Sequence, residues 1–371
     1  MLSRGISTAI RAIQKNQRIT YHAITSGPST VFHCQMKQRV QKSWKYWKIR
    51  IVTSTKNSNH GKQRGLLGFC LAFSIFKSAQ QDEEEAQSAE DRIVLLLKRA
   101  KLNIIRGELE DADHILHQAI RLAHQSNNTQ AIIYTYDMMA NLAFLRGQLS
   151  NAEKLFKAAM SYLLGSGVEQ DDNAVIEMSL KLASIYGEQN QHELAVHGFE
   201  FCIESLESKV EKQKTIENEV LSVEEKANTR LLLGMCLDSY ARYLLDKQQL
   251  EAAENMYKKS LQISQEVQGE SHPQTVVLMN DLATVLDLLG RHSDAYEYVK
   301  HAMELARQTS HPELHVVLNN MAGILLHQGH FLQAEQLYQE ALSLAKSKGD
   351  ADTVHQVQEG LQEMTRRKSA A

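Results

Sequence analysis

Alanine, bulky and small residues recur at fixed offsets along the chain, and this recurrence predicts its architecture. Ala100, Ala140, Ala183, Ala241, Ala283 and Ala322 begin six blocks, and each is followed twelve residues later by Ala112, Ala152, Ala195, Ala253, Ala295 or Ala334. Four residues further on stands a bulky side chain: Leu116, Phe156, Phe199, Tyr257, Val299 or Tyr338. Three beyond that is a small one (Ala119, Ala159, Cys202, Ser260, Ala302, Ala341), then an apolar one (Ile120, Met160, Ile203, Leu261, Met303, Leu342). Alanine supplies only 35 of 371 residues yet fills all twelve leading positions, so the register is not a matter of composition. Offsets of three and four place side chains on one face of a helix. The first alanine lets a helix A approach its partner helix B closely. The second sits where helix B begins, and the bulky residue fills the space between neighbouring pairs.

Between the two alanines the chain must reverse. Seven residues after the first, four blocks carry Gly107, Gly147, Gly290 and Gly329, while Asn190 and Gln248 stand at the same place in the other two. A helix end that needs positive φ favours glycine, so these two turns are the less regular ones by sequence. The second alanines are spaced 40, 43, 58, 42 and 39 residues apart. The 58-residue interval contains ESLESKVEKQKTIENEVLSVEEKANTR, a charged stretch with helical phase, so helix B of the third unit and helix A of the fourth extend into it. His272-Pro273 and His311-Pro312 each open a helix, because proline is tolerated in a first turn. Residues 351–366 form an amphipathic helix that covers the last exposed face, as the end of a stacked array requires.

The pattern resembles the tetratricopeptide repeat, a helix–turn–helix unit of 34 residues. The resemblance implies an all-α superhelix of about six such repeats plus a C-terminal capping helix, behind a disordered basic leader. GESHPQTVVLMNDLATVL and SHPELHVVLNNMAGILL are similar to the longer kinesin-light-chain type, which implies a peptide or cargo adaptor as the alternative function.

Composition agrees with helices joined by short links. Three Pro and 18 Gly in 371 residues are too few turn formers for an all-β fold. Cys34, Cys70, Cys202 and Cys236 are too scattered for a disulfide framework or a paired-cysteine zinc site. Charge changes the picture more. Residues 1–77 hold 14 Lys and Arg and no acid, whereas the rest holds 27 basic and 44 acidic residues. Leu2, Ile6, Ala9, Ile10 and Ile13 share one side of a helical wheel, and Arg4, Arg11, Lys15 and Arg18 share the other. An acid-free amphipathic start of this kind is the composition of a mitochondrial transit peptide.

Residues 65–76, GLLGFCLAFSIF, are uncharged and flanked by Arg64 and Lys77. As a helix they would span only about 18 Å, against roughly 30 Å for a bilayer core. This suits a short membrane or sorting segment better than a permanent span. The expected organisation is a transit peptide over 1–64, the apolar segment at 65–77 and an acidic linker at 78–90. Six repeats follow over 91–345, with a helical insertion at about 204–226, then the capping helix and tail at 346–371.

TYDMMANLAFLRGQL, MSYLLGSG, IEMSLKLASIY, VEEKANTRLLLGMCLD and GESHPQTVVLMNDLAT, behind a basic leader and acidic junction, carry a closer resemblance. They are similar to a family of mitochondrial inner-membrane tetratricopeptide proteins associated with respiratory complex III. That resemblance implies a non-enzymatic scaffold for assembly and maintenance of complex III. It further implies that the Rieske iron–sulfur subunit is among its partners and that Rieske processing fragments are cleared with its help, while the basic amphipathic start, the short apolar run and the acidic Asp82, Glu83, Glu84 and Glu85 together resemble a two-part signal for the intermembrane space.

No catalytic constellation stands out. GxxxxGK[ST], GxGxxG after a strand, GxSxG, HExxH and the EF-hand loop are all absent. His114 and His117 lie one turn apart beside Asp113, a spacing that fits surface decoration in a chain of 16 His. Cys202 and Cys236 sit among apolar neighbours as inert thiols, and Gly165-Ser166-Gly167 is a link between repeats. No cofactor, metal or small-molecule substrate is expected. Helix A positions predicted to line the concave face are Tyr134, Asp137, Asn141, Asp238, Arg242, Asn280, Asp287 and Asn319. Asparagine both donates and accepts, so it can hold the backbone of an extended peptide. The acidic body disfavours nucleic acid and favours a basic or neutral peptide.

Overall fold

The computed structural model describes residues 82–216 and 221–370. The stretches expected to be a transit peptide (1–64) and an apolar segment (65–77) lie outside the described residues. Among the described residues thirteen helices follow one another: α1 (Asp82–Arg106), α2 (Leu109–Gln125), α3 (Thr129–Leu145), α4 (Leu149–Gly165), α5 (Asn173–Glu188), α6 (His192–Lys214), α7 (Val223–Asp246), α8 (Leu250–Gln268), α9 (Pro273–Leu288), α10 (His292–Gln308), α11 (Leu314–His327), α12 (Phe331–Lys348) and α13 (Ala351–Ala370). Helices α1 to α12 pack as six consecutive pairs, each pair packs on the next, and α13 closes the last one.

All twelve register alanines are fully buried, as are Leu116, Phe156, Phe199, Tyr257 and Val299 to within 1%. The sequence pattern is therefore the packing pattern. The odd-numbered helices α5, α7, α9 and α11 are buried around most of their circumference, whereas the even-numbered helices keep a polar outer face. Successive odd-numbered helices also touch (α1–α3, α5–α7, α9–α11), more than successive even-numbered ones do. Closer spacing on the A side curves the stack towards it.

Each pair closes with the same turn. The amide of the C″ residue bonds the carbonyl five residues earlier: Glu108 to Asn103, Gln148 to Ala143, Gln191 to Tyr186, Gln249 to Leu244, Arg291 to Leu286 and His330 to Leu325, all at 2.8–2.9 Å. This is the Schellman arrangement. Asn190 and Gln248, both at φ 59°, occupy the left-handed position that Gly107, Gly147, Gly290 and Gly329 occupy elsewhere. The two turns that looked irregular in sequence have the same geometry as the other four.

Entry into the A helices is fixed by side chains instead. Asn128, Asp172 and His272 accept bonds from the amides of Ala131, Ala174 and Gln274 at 2.8–3.1 Å. Ser222 and Glu225 form a reciprocal capping box.

Two element boundaries differ from expectation. The helix α1 begins at Asp82, inside the stretch 78–90 expected to be an acidic linker. Pro312 precedes α11 in a turn rather than occupying its first turn, and the helix begins at Leu314, although His311 Nδ1 accepts the Glu313 amide at 3.0 Å as His272 accepts that of Gln274. The insertion resolves into the extended end of α6 and start of α7, as the helical phase predicted.

Two glycines record close approaches. A Cβ on Gly198 would lie 2.8 Å from the Ala183 Cβ, so α5 and α6 meet where two small residues face. A Cβ on Gly360 would lie 2.5 Å from the Tyr338 ring, which seats α13 on α12.

Candidate partner-binding face

The polar positions predicted to line the concave face converge on a ladder that links one repeat to the next. On α3, Asn141 Nδ2 donates to Asp137 Oδ2 at 2.9 Å. Asp137 Oδ1 accepts from Lys181 Nζ of α5 at 2.7 Å. Lys181 is 3% exposed and also pairs with Glu177 at 3.1 Å. Its ammonium lies 5.2 Å from the Phe156 ring centroid. Burial by itself would lower the Lys181 pKa, but the two carboxylates outweigh it and hold the pKa above its ordinary value.

The next rung joins α7 to α9. Arg242 Nε donates to Asp238 Oδ1 at 2.9 Å, and its Nη2 lies 2.7 Å from Asp281 Oδ2. The second contact is an ion pair rather than a well-aligned hydrogen bond. Gln274 Nε2 reaches Asp238 Oδ2 at 3.4 Å. Burial opposes the guanidinium charge, and the flanking carboxylates raise the Arg242 pKa above its ordinary value regardless. From α11, Asn320 Nδ2 donates to the carbonyl and Oδ1 of Asn280 on α9, both at 3.0 Å. Asn319 Nδ2 makes a long 3.5 Å contact with Gln356 of α13.

Asp238, Arg242 and Asn280 are thus buried to 5% exposure or less. The A helices pack so closely that these side chains meet Gln274, Asp281 and Asn320 of neighbouring A helices instead of facing an open groove. Tyr134, Asp137, Asn141, Asp287 and Asn319 are half-buried and border the A-side surface.

Asp287 belongs to a separate group that sequence inspection did not single out. Its Oδ1 lies 2.7 Å from His292 Nδ1 and its Oδ2 2.8 Å from His327 Nδ1. His327 is 40 residues away in sequence, so only a one-repeat offset could have signalled it.

His114 and His117 are exposed, and His117 Nδ1 bonds the backbone carbonyl of Asp113 at 2.9 Å. Cys202 and Cys236 are buried free thiols, and burial pushes the Cys236 thiol well up from its ordinary value. Among the described residues, no helix is long and apolar enough to cross a membrane.

Paired helices, Schellman turns and close A-side stacking define a helical-repeat solenoid, the class of scaffold built for protein–protein interaction. The tetratricopeptide repeat family model matches residues 235–308, and a second tetratricopeptide repeat model matches 316–347. The solved apo form of RapI superposes with a TM-score of 0.56 at 15% identity, covering 90% of this chain and 85% of that one. Tetratricopeptide repeat protein 19, mitochondrial, of Homo sapiens is 56% identical over 270 residues, 69% of this chain and 71% of the relative. The Danio rerio protein of the same name is 63% identical over 300 residues, 81% of this chain and 74% of the relative. The chain belongs to the family of tetratricopeptide repeat protein 19, mitochondrial.

Proposed function

We propose that the chain is a non-enzymatic scaffold of the mitochondrial inner membrane, facing the intermembrane space, that binds respiratory complex III and supports its assembly and maintenance. The observation that carries this reading is its identity of more than half with mitochondrial relatives across most of the repeat array. The resemblance to that family supplies complex III and the Rieske iron–sulfur protein as partners. The acidic repeat body and acid-free leader are consistent with a basic or neutral protein partner and with import.

In this reading an extended segment of the partner lies along the A side, and Asn141 and Asn319 bond its backbone. Asn280 is not part of this contact surface, because it is 3% exposed, whereas Asn141 and Asn319 are half-buried at the surface. Changing Asn141 and Asn319 to Ala removes hydrogen bonds worth about 0.5–1.5 kcal/mol each, while alanine favours the helix. The double variant, expressed in mitochondria lacking the wild-type chain, is expected to stay folded and to co-purify less complex III. Undiminished capture, together with loss of capture by a variant of the outer even-numbered helices, would overturn the A-side assignment. Purified protein that cleaved a Rieske-derived peptide unaided would overturn the scaffold reading itself.

A further inference from the structure

We propose that Asp287, His292 and His327 form a binding site for a divalent transition-metal ion of the zinc type, which ties the fifth helix pair to the sixth. The three side chains come from three helix ends. Asp287 lies in the last turn of α9, His292 is the first residue of α10 and His327 is the last residue of α11. One ligand atom from each lies within 4.8 Å of the other two. The imidazole centroids are 5.4 Å apart, with both Nδ1 atoms turned to the same carboxylate.

The backbone under the cluster is fixed before any ion arrives. The Schellman turn at Gly290 sets the reversal from α9 into α10. Gln328 Nε2, one residue beyond His327, donates to the His292 carbonyl at 3.1 Å and holds the end of α11 against the start of α10.

Electrostatics favours a cation here. A carboxylate in the last turn of a helix meets the negative end of the dipole. Asp287 is nonetheless only 12% exposed, and the two imidazoles are its hydrogen-bond partners. A dication would offset both charges at once.

The donor set is two nitrogens and one oxygen, which suits zinc and its neighbours rather than calcium or magnesium. In a tetrahedral site with bonds of about 2.0–2.1 Å, ligand atoms stand roughly 3.3 Å apart. His292 Nδ1 and His327 Nδ1 now face different oxygens of Asp287 at 2.7 and 2.8 Å, so with one oxygen as ligand the pair that becomes a ligand pair opens by about half an ångström as the ion enters. Each imidazole would bind the ion through the Nδ1 lone pair, with Nε2 left to carry the ring proton. His292 and His327 are more than a third exposed, so the ion has a path in and water completes its coordination.

The test uses the full chain, stripped with a chelator and titrated calorimetrically with zinc chloride. One saturable equivalent is expected, with affinity falling at least tenfold in His292→Gln and in His327→Gln. Zinc should raise the melting temperature of the wild type and leave the double variant unchanged. X-ray absorption on the zinc-loaded wild type reads the ligands without any substitution and should show two imidazoles and no sulfur. Absence of saturable binding, undiminished binding in a folded double variant, or sulfur coordination would each overturn the site.

Discussion

At Gln248 a long side chain occupies the left-handed position that four sister turns give to glycine. The left-handed conformation costs an L-residue roughly 1–2 kcal/mol, against the 0.5–1 kcal/mol of freedom glycine gives up. Gln248→Gly is expected to stabilise the fourth pair by about 0.5–1 kcal/mol, read as a higher denaturant midpoint. His311 makes a second prediction at this scale. Burial pushes its imidazole below the ordinary value of 6.5, Lys348 and His315 act in the same direction, and the Pro273 carbonyl opposes them. The unfolded chain therefore takes up this proton before the folded one does. The stability it contributes is full above about pH 6.5 and declines as pH falls towards the lowered pKa. Denaturation midpoints should drop between about pH 7 and pH 5. His311→Asn, which can still accept the Glu313 amide but does not titrate, should flatten that slope.

Between elements, the deciding contacts are polar. Arg242 bridges Asp238 on its own helix and Asp281 on the next, with all three nearly inaccessible to water. Such a group is not strong evidence of net stabilisation, because desolvating the charges costs about what their attraction returns. Removing one member is a different matter, since it leaves uncompensated buried charge. Arg242→Ala is expected to cost about 3–5 kcal/mol in chemical denaturation. Replacing Asp238, Arg242 and Asp281 together by apolar residues of similar volume should recover most of that loss. A single variant as stable as the wild type would show that water reaches the α7–α9 junction.

Over the whole molecule, stability is a chain of neighbour contacts, so damage should stay local. The cap α13 covers Tyr338 through Gly360 and buries Val357 and Met364 against the sixth pair. Asp350, just before it, bonds His315 of α11 at 3.1 Å. Deleting residues 350–371 is expected to strip hydrogen-exchange protection from α11 and α12 while leaving α1 to α4 protected. Uniform loss along the array would mean that the six pairs unfold as one unit.

The alanine register, the turn positions, the two extended helices and the capping helix were legible in the sequence. Each follows from short-range geometry: helical periodicity brings residues three and four apart onto one face, and a helix of limited length must reverse. The left-handed state of Asn190 and Gln248 was not legible, because the preference for glycine is a matter of fractions of a kcal/mol and six aligned backbones override it. Nor was the fate of the polar A-helix positions. Asp238, Arg242 and Asn280 have the composition of a peptide clamp, but their partners Asp281 and Asn320 lie on neighbouring repeats. Whether such a side chain faces a groove or a neighbouring helix depends on how closely the A helices stack. The Asp287–His292–His327 group carries the same lesson, since its third member is one repeat away and meets the others only after the pairs have packed. The sequence determined the repeat and its internal face, and the stacking of repeats decided which polar groups meet.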